Sequence, residues 1–391
     1  MNLIERRLLP VARRALNGFP VLALTGPRQS GKTTLARQLG KDRPYASLED
    51  PDTRQFADSD PRGFLAQFPD GAVLDEVQRC PALFSYLQGV VDADGRMGRF
   101  ILTGSQQLGL VEAITQSLAG RVALLNLLPF SLPELQAAHR APKDLETLLA
   151  GGLFPPVHDR SVEPAAWLKS YVATYLERDV RHSLKVQDLA AFQRFLQLCA
   201  GRVGQLVNIS SLAADAGISR PTAEAWLSVL QASFLVFLVR PHFANRSKRI
   251  IKAPKLYFCD PGLAAWLVGI REPGHVASHP LRGGLFENWV LTELAKELAN
   301  RGDEPAVHFW RDKEGHEVDA VVERGPVWHA IEIKAGRTVA SDFFDGLDFW
   351  RRQAPEADIR PWLVYGGDST QPRERATIVP WTGIEKLLKA L

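Results

Sequence analysis

Apolar residues in this chain gather in short runs near its start and at helical spacing through its middle. Val21-Leu22-Ala23-Leu24-Thr25, Ala72-Val73-Leu74 and Phe100-Ile101-Leu102 are runs of strand length, and a further short strand is expected around Tyr45 to Leu48. Runs of this kind, closed by turn residues, predict strands buried on both faces in a parallel sheet. Beyond Gly151-Gly152-Leu153-Phe154-Pro155-Pro156 the period changes. Trp167, Tyr171, Tyr175 and Leu176, then Phe192, Phe195, Leu196 and Cys199, recur at three and four residues, as core-facing stripes of helices do. From Ile209 to Leu227 two short helices follow, with Ser210 or Ser211 capping the first, Gly217 at the turn and Ser219 capping the second. This is a helix-turn-helix pattern, and Phe234 to Val239 and Lys255 to Phe258 read as two strands of a wing beside it.

The last third opens with a helix from Leu285 onward, in which Glu287 shares the apolar stripe of Leu291, Leu294 and Leu298. A carboxylate among leucines needs a cation or a hydrogen-bond partner. A hairpin follows: Glu317 to Glu323 and Trp328 to Lys334 flank the turn Arg324-Gly325-Pro326. Centred between Gly325 and Pro326, it sets Asp319 opposite Glu332, with Lys334 on the same face as Glu332. Opposed carboxylates destabilise a hairpin unless something compensates them. A divalent metal would do so, and so would Lys334 or Arg311 on a solvated sheet; a register slip of one residue would separate the acids.

Composition narrows the class. The chain has 391 residues, 46% hydrophobic and 23% charged, so it is globular and long enough for two or three domains. Its longest apolar run, Phe234 to Val239, is far too short to span a bilayer, and charges interrupt the first residues where a secretory leader would be apolar. Cys80, Cys199 and Cys259 form no metal-binding spacing, and a reducing cytoplasm is expected. The net charge of +3 is uneven: residues 1–150 carry 17 basic and 16 acidic groups, 151–275 carry 15 and 9, and 276–391 carry 15 and 19. Three units with those boundaries are expected, the middle one basic.

The first strand runs directly into Gly26-Pro27-Arg28-Gln29-Ser30-Gly31-Lys32-Thr33-Thr34, a GxxxxGK[ST] phosphate loop, and then into a helix. Its backbone N–H groups suit phosphate oxygens, Lys32 suits the β- and γ-phosphates of ATP, and the Thr33 hydroxyl suits Mg²⁺. Asp75 at the end of the next apolar strand fits a metal-holding role, and Glu76 a general base acting on water. Thr103 and Ser105 could sense the γ-phosphate; Arg121 and Arg178 are candidates for a sensing or finger role. In the middle unit, Arg220 and Thr222 on the second helix and Arg246, Lys248 and Arg249 between the wing strands suit DNA phosphates. The set for reading bases is thin, and many ATPases use such a unit as a lid or protein contact instead.

The order of phosphate loop, Asp-Glu strand and Thr-Gly-Ser strand resembles the AAA-type ATPases. Glu287, Asp319, Glu332 and Lys334 resemble the PD-(D/E)xK nucleases. That resemblance implies a mixed sheet flanked by helices, with Asp319 and Glu332 on Mg²⁺, Glu287 supporting the metal and Lys334 assisting the attacking water. The whole chain is similar to a prokaryotic family of predicted ATPases with a nuclease-like C-terminal domain, on TGPRQSGKTT, AVLDEVQ, ILTGSQQ, SLAGR, YLERDV, KLYFCDPGL, GLFENWVLTEL, HEVDAVV and AIEIKAG. The expected fold is thus multidomain α/β: a P-loop AAA-type ATPase domain, a helical and winged-helix middle, and a restriction-endonuclease-like end. The expected function couples ATP hydrolysis to a DNA-associated nuclease-like domain, or to a switch that binds without cutting. Rings are common among AAA-type proteins, so self-association is a further expectation.

Overall fold

The structure, a computed structural model, describes residues 3–105, 116–160, 162–176, 188–242, 252–371 and 373–391, and the backbone but not the side chains of Tyr175 and Leu176. Arg178, Arg246, Lys248 and Arg249 lie outside the described residues.

The apolar runs near the start form one parallel sheet. Its strands are β1 (Val21–Thr25), β2 (Tyr45–Ser47), β3 (Ala72–Asp75), β4 (Phe100–Gly104) and β5 (Val122–Asn126), in the spatial order β2-β3-β4-β1-β5. Alternate residues feed two cores: Val21, Ala23, Leu74 and Leu102 on one face, Leu22, Leu24, Val73 and Ile101 on the other. That division follows from the two-residue period of a strand. Helices α1 (Leu9–Gly18), α2 (Lys32–Leu39) and α3 (Leu83–Asp94) flank the sheet. A short helix α4 (Leu132–Ala137) leaves it behind a reciprocal cap between Ser131 and Glu134.

In the middle, α5 (Leu189–Ala200) buries Phe192, Phe195, Leu196 and Cys199 as its spacing predicts. Helices α6 (Ile209–Ala216) and α7 (Arg220–Ala232) are joined through Gly217 at φ +71°. The cap of α6 is Asn208, whose side chain accepts from Ser211 N–H at 3.1 Å, instead of either serine. Ser219 caps α7, accepting from Thr222 N–H at 3.2 Å.

The wing strands do form a hairpin, β6 (Val236–Pro241) with β7 (Lys255–Phe258), yet its described residues do not project from the helices. Instead, β6 runs parallel to β8 (Val307–Arg311), so the hairpin edges the C-terminal sheet. With β9 (Glu317–Arg324), β10 (Val327–Lys334), β11 (Asp358–Tyr365) and β12 (Thr377–Pro380) the order is β12-β11-β10-β9-β8-β6-β7. One large core runs from Phe192, Phe195 and Trp226 in the middle to Phe286, Trp289, Ile331 and Trp381 near the end. Through it passes α8 (Arg282–Arg301), buried along most of its length, while α9 (Asp345–Gln353) covers the opposite face of the sheet.

Candidate functional site

The phosphate loop begins where β1 ends. Gly26 has φ +143°, and a Cβ there would lie 2.1 Å from the Leu127 carbonyl oxygen, so only glycine lets the loop pass this close to the exit of β5. Gln29 at φ +62° and Gly31 at φ +96° complete the curl into α2. Arg28, Gln29, Ser30, Gly31, Lys32, Thr33 and Thr34 line a cavity of 330 Å³. Its other walls include Ile4, Phe130, Pro155 and Pro156, apolar surface fit for a base, with Arg160 beside them. The Ser30 hydroxyl is buried without a partner.

Lys32 is buried and donates to the carbonyls of Gly26 at 2.9 Å and Pro27 at 2.8 Å. Burial brings its ammonium down to about 8, although Glu76 and Asp75 pull it upward. Asp75 accepts from three hydroxyls: Thr33 at 3.1 Å, Tyr45 at 2.6 Å and Thr103. Glu76 sits in the left-handed region at φ +56°, a strained setting for a non-glycine residue that is typical of functional sites. Its N–H donates to Thr103 Oγ1 at 3.2 Å, and its carboxylate accepts from Ser105 Oγ at 3.0 Å and from Gln78. Ser105 is directed at Glu76, which lines the cavity, and is not itself among the lining residues.

Arg121 also departs from expectation. It stands where β5 starts, its carbonyl accepting from Val21 N–H at 3.1 Å, at the opposite end of β1 from the phosphate loop. There its guanidinium is taken by Asp92 of α3, with Nη2 donating at 2.8 Å. Arg6 does reach the loop: it donates to Ser30 O at 2.7 Å and Leu128 O at 2.6 Å and pairs with Glu134 at 3.1 Å. Nothing local in the leading helix pattern singles it out, because its partners lie 24 to 128 residues away.

The second constellation is built on β9 and β10. Their register runs from Val327↔Arg324 to Ile331↔Ala320, and continued by one position it sets Asp319 opposite Glu332. There the Asp319 carboxylate replaces the backbone ladder, accepting Ile333 N–H at 2.8 Å. Lys334 donates to Glu332 and lies 3.7 Å from Asp319. Glu332 Oε2 is buried with no partner. Burial, then the Asp319 charge, push the Glu332 carboxyl up to about 8, against the pull of Lys334. Burial opposes the Lys334 ammonium, but Asp319 and Glu332 outweigh it and hold that group above the usual lysine value.

Glu287 is on α8 near this pair but is turned to other partners. Its Oε1 accepts from Lys255 at 2.9 Å and from the Tyr257 hydroxyl, both on β7. Among the described residues, Glu287, Asp319 and Glu332 do not bring three ligand atoms within 4.8 Å of one another. Of the three acids expected to share a metal, Glu287 is thus engaged by Lys255 and Tyr257, while Asp319 and Glu332 share Lys334. Lys255 also pairs with Glu317, whose other oxygen is 3.2 Å from Arg311. Burial works against the Lys255 charge, yet Glu287, Asp319 and Glu317 keep it above the ordinary lysine value. On α7, Arg220 pairs with Glu224 at 2.9 Å and Thr222 Oγ1 is 2.7 Å from Ser219 Oγ; Ser219, Arg220 and Glu224 are exposed and Thr222 is half-buried.

The two constellations are bridged by α8. Lys296 donates to Phe130 O at 2.8 Å and to Glu293 at 2.9 Å, and Glu293 accepts Leu132 N–H at 2.9 Å. Phe130 lines the phosphate-loop cavity, so the helix that carries Glu287 grips a wall of that cavity. Among the described residues, no helix is long and apolar enough to cross a membrane.

Residues 18–136 match the family described as AAA domain. Residues 142–274 and 282–384 match two domains of unknown function, DUF8612 and DUF4143. The parallel N-terminal sheet with its helices is accordingly a P-loop ATPase fold, and the C-terminal part is a mixed sheet. The uncharacterized proteins Rv2008c of Mycobacterium tuberculosis and Mb2031c of Mycobacterium bovis are each 36% identical to the chain over 343 residues, or 86% of this chain and 75% of theirs. Among solved structures, the Walker-type ATPase paby2304 of Pyrococcus abyssi overlaps 68% of this chain and 96% of its own, at 16% identity and a TM-score of 0.46.

Proposed function

The chain belongs to the family of the mycobacterial proteins Rv2008c and Mb2031c, and from that premise we propose that it is a Mg²⁺-dependent ATPase whose cycle controls a metal-binding, phosphodiester-directed C-terminal cluster. The observation that carries the first half is the arrangement of Lys32, Thr33, Asp75 and Glu76 around the phosphate loop. The orphaned Ser30 hydroxyl and the glycine-dependent curl fit a phosphate chain. The Thr33 hydroxyl and Asp75 fit Mg²⁺, which when bound screens the charge of the phosphate oxygens.

In this reading Lys32 leaves its carbonyl partners for the β- and γ-phosphates, while Ile4, Phe130 and Pro155 enclose the base. Glu76, oriented by Ser105 and Gln78, takes the proton of the attacking water. Lys32→Ala should abolish turnover. Glu76→Gln should keep ATP binding and lower kcat by about 10²-fold or more; turnover equal to wild type in either variant removes the assignment.

For the C-terminal cluster, the support is the buried, unpartnered Glu332 Oε2 beside Asp319. Mg²⁺ commonly uses one or two carboxylates plus waters and substrate phosphate, a set this pair can supply. Lys334 would then steady the developing phosphate charge. The cycle reaches this cluster along α8, and the exposed start of α7, with Arg220 and Thr222, offers a surface for a nucleic-acid backbone. Cleavage of single- and double-stranded DNA and RNA should be assayed with Mg²⁺ or Mn²⁺, with and without ATP. Cutting that Glu332→Ala abolishes supports the reading. A second reading, a nucleotide-dependent switch that grips nucleic acid or protein without cutting, draws on Lys255, which already satisfies Glu287 and Glu317. Absence of cutting while ATP is hydrolysed favours that one.

A further inference from the structure

The four carboxylates of the C-terminal cluster fall into two pairs with different surroundings. Glu287 and Glu317 share the Lys255 ammonium, and each has a second donor: the Tyr257 hydroxyl for Glu287, and Arg311 at 3.2 Å for Glu317. Asp319 and Glu332 share Lys334, Asp319 also accepts the Ile333 N–H, and Glu332, 7% exposed, keeps one oxygen buried and unpartnered. Lys255 is fixed in place: it is 3% exposed, and its ammonium stands 5.4 Å from the centre of the Phe309 ring. It is also an outsider to this cluster in sequence, since it comes from β7, in the stretch that matches the middle domain.

We propose that Lys255 is a positioning residue that acts as a built-in cation, occupying the place a second divalent ion would need and so restricting the cluster to one divalent metal on Asp319 and Glu332. The inference rests on the metal-binding reading of that pair and adds the count and the cause of the count. Charge supports it: with all four acids ionised, as they would be around a bound dication, Lys255, Lys334 and Arg311 leave one negative charge for that ion to act on. Ligand geometry supports it too. A second Mg²⁺ would need an octahedron of oxygens at about 2.1 Å, and the Glu287 oxygen on that side already holds an ammonium at 2.9 Å. An ammonium and a dication sharing one carboxylate oxygen would repel each other at close range. Glu287 then serves as the anchor of Lys255 and is not itself a metal ligand.

The test is Mn²⁺ binding to the full, nucleotide-free chain, read from the electron paramagnetic resonance signal of free Mn²⁺. Asp319→Asn serves as the blank that subtracts ions held elsewhere. Wild type should bind one Asp319-dependent Mn²⁺ per chain. Lys255→Met should bind a second, which disappears again in Lys255→Met/Glu287→Gln, whereas Lys255→Arg should stay at one. A merely structural lysine would lose metal on substitution and would not gain it. Should Lys255→Met fail to fold, Glu287→Gln alone decides: it should leave the Mn²⁺ dissociation constant within about threefold of wild type. Two ions in wild type, one ion in folded Lys255→Met, or loss of the ion in Glu287→Gln overturns the inference. Absence of any Asp319-dependent Mn²⁺ in wild type overturns the metal-binding reading itself, and the inference with it.

Discussion

Lys32 waits in the phosphate loop with its charge weakened by burial, its ammonium brought down to about 8. Polyphosphate placed beside it restores that charge, so at pH 8 nucleotide binding should take up about half a proton. Calorimetry of ATP binding in buffers of different ionisation enthalpy reads this directly, and Lys32→Met should abolish the uptake. The carboxyls of Glu332 and Glu287 are displaced upward from 4.5, to about 8 and about 7, by burial first. Between pH 4.5 and those values the folded chain holds protons that the unfolded chain has released, so their contribution to stability falls as pH rises through that window. Melting in EDTA at pH 5 and pH 8.5 should show a larger loss for wild type than for Glu332→Gln. The residues of the phosphate loop were legible in the sequence because the motif is contiguous. Arg6 and Lys255 were not, because their ion-pair partners lie far along the chain.

At the level of single elements, the hairpin of β9 and β10 was legible to the residue: its turn is short, and the numbers on either side of it determine the pairing. The hairpin of β6 and β7 was legible as a hairpin but not in its placement. Periodicity reports which residues are apolar and says nothing of the parallel pairing of β6 with β8 across a long stretch of chain. Helix α8 shows what burial of charge does to one element. Glu293 and Lys296 are 0% and 1% exposed, so either without the other is an uncompensated charge in the core. Lys296→Met should destabilise the chain by about 3–5 kcal/mol in urea unfolding, and adding Glu293→Gln should recover part of that loss. The same lysine holds Phe130 O, so Lys296→Met should also weaken ATP binding. A control substitution of exposed Lys389 should affect neither.

Taken as a whole molecule, the chain has a separate pair of cores around the parallel sheet, while its middle and end share one core that also takes in Phe130, Leu132 and Leu135, with a further core on the other face of the C-terminal sheet. Residues 276–391 by themselves would lack β6 and β7, leaving the β8 edge bare and Glu287 and Glu317 without Lys255. That fragment should be insoluble or molten, whereas residues 142–391 should give a cooperative unfolding transition by circular dichroism. The charge boundaries that divide the sequence into three do not see this, because the shared sheet is made by pairing at a distance. The lysine that β7 lends to the acids of the last domain also bears on descent. A lineage that exchanged its C-terminal third for another's would keep these ion pairs only where its own β7 carries an equivalent lysine, so the two stretches should tend to travel together. Among relatives, replacement of Lys255 should be accompanied by replacement of Glu287 or Glu317, a covariation that links positions in two domains usually counted as separate.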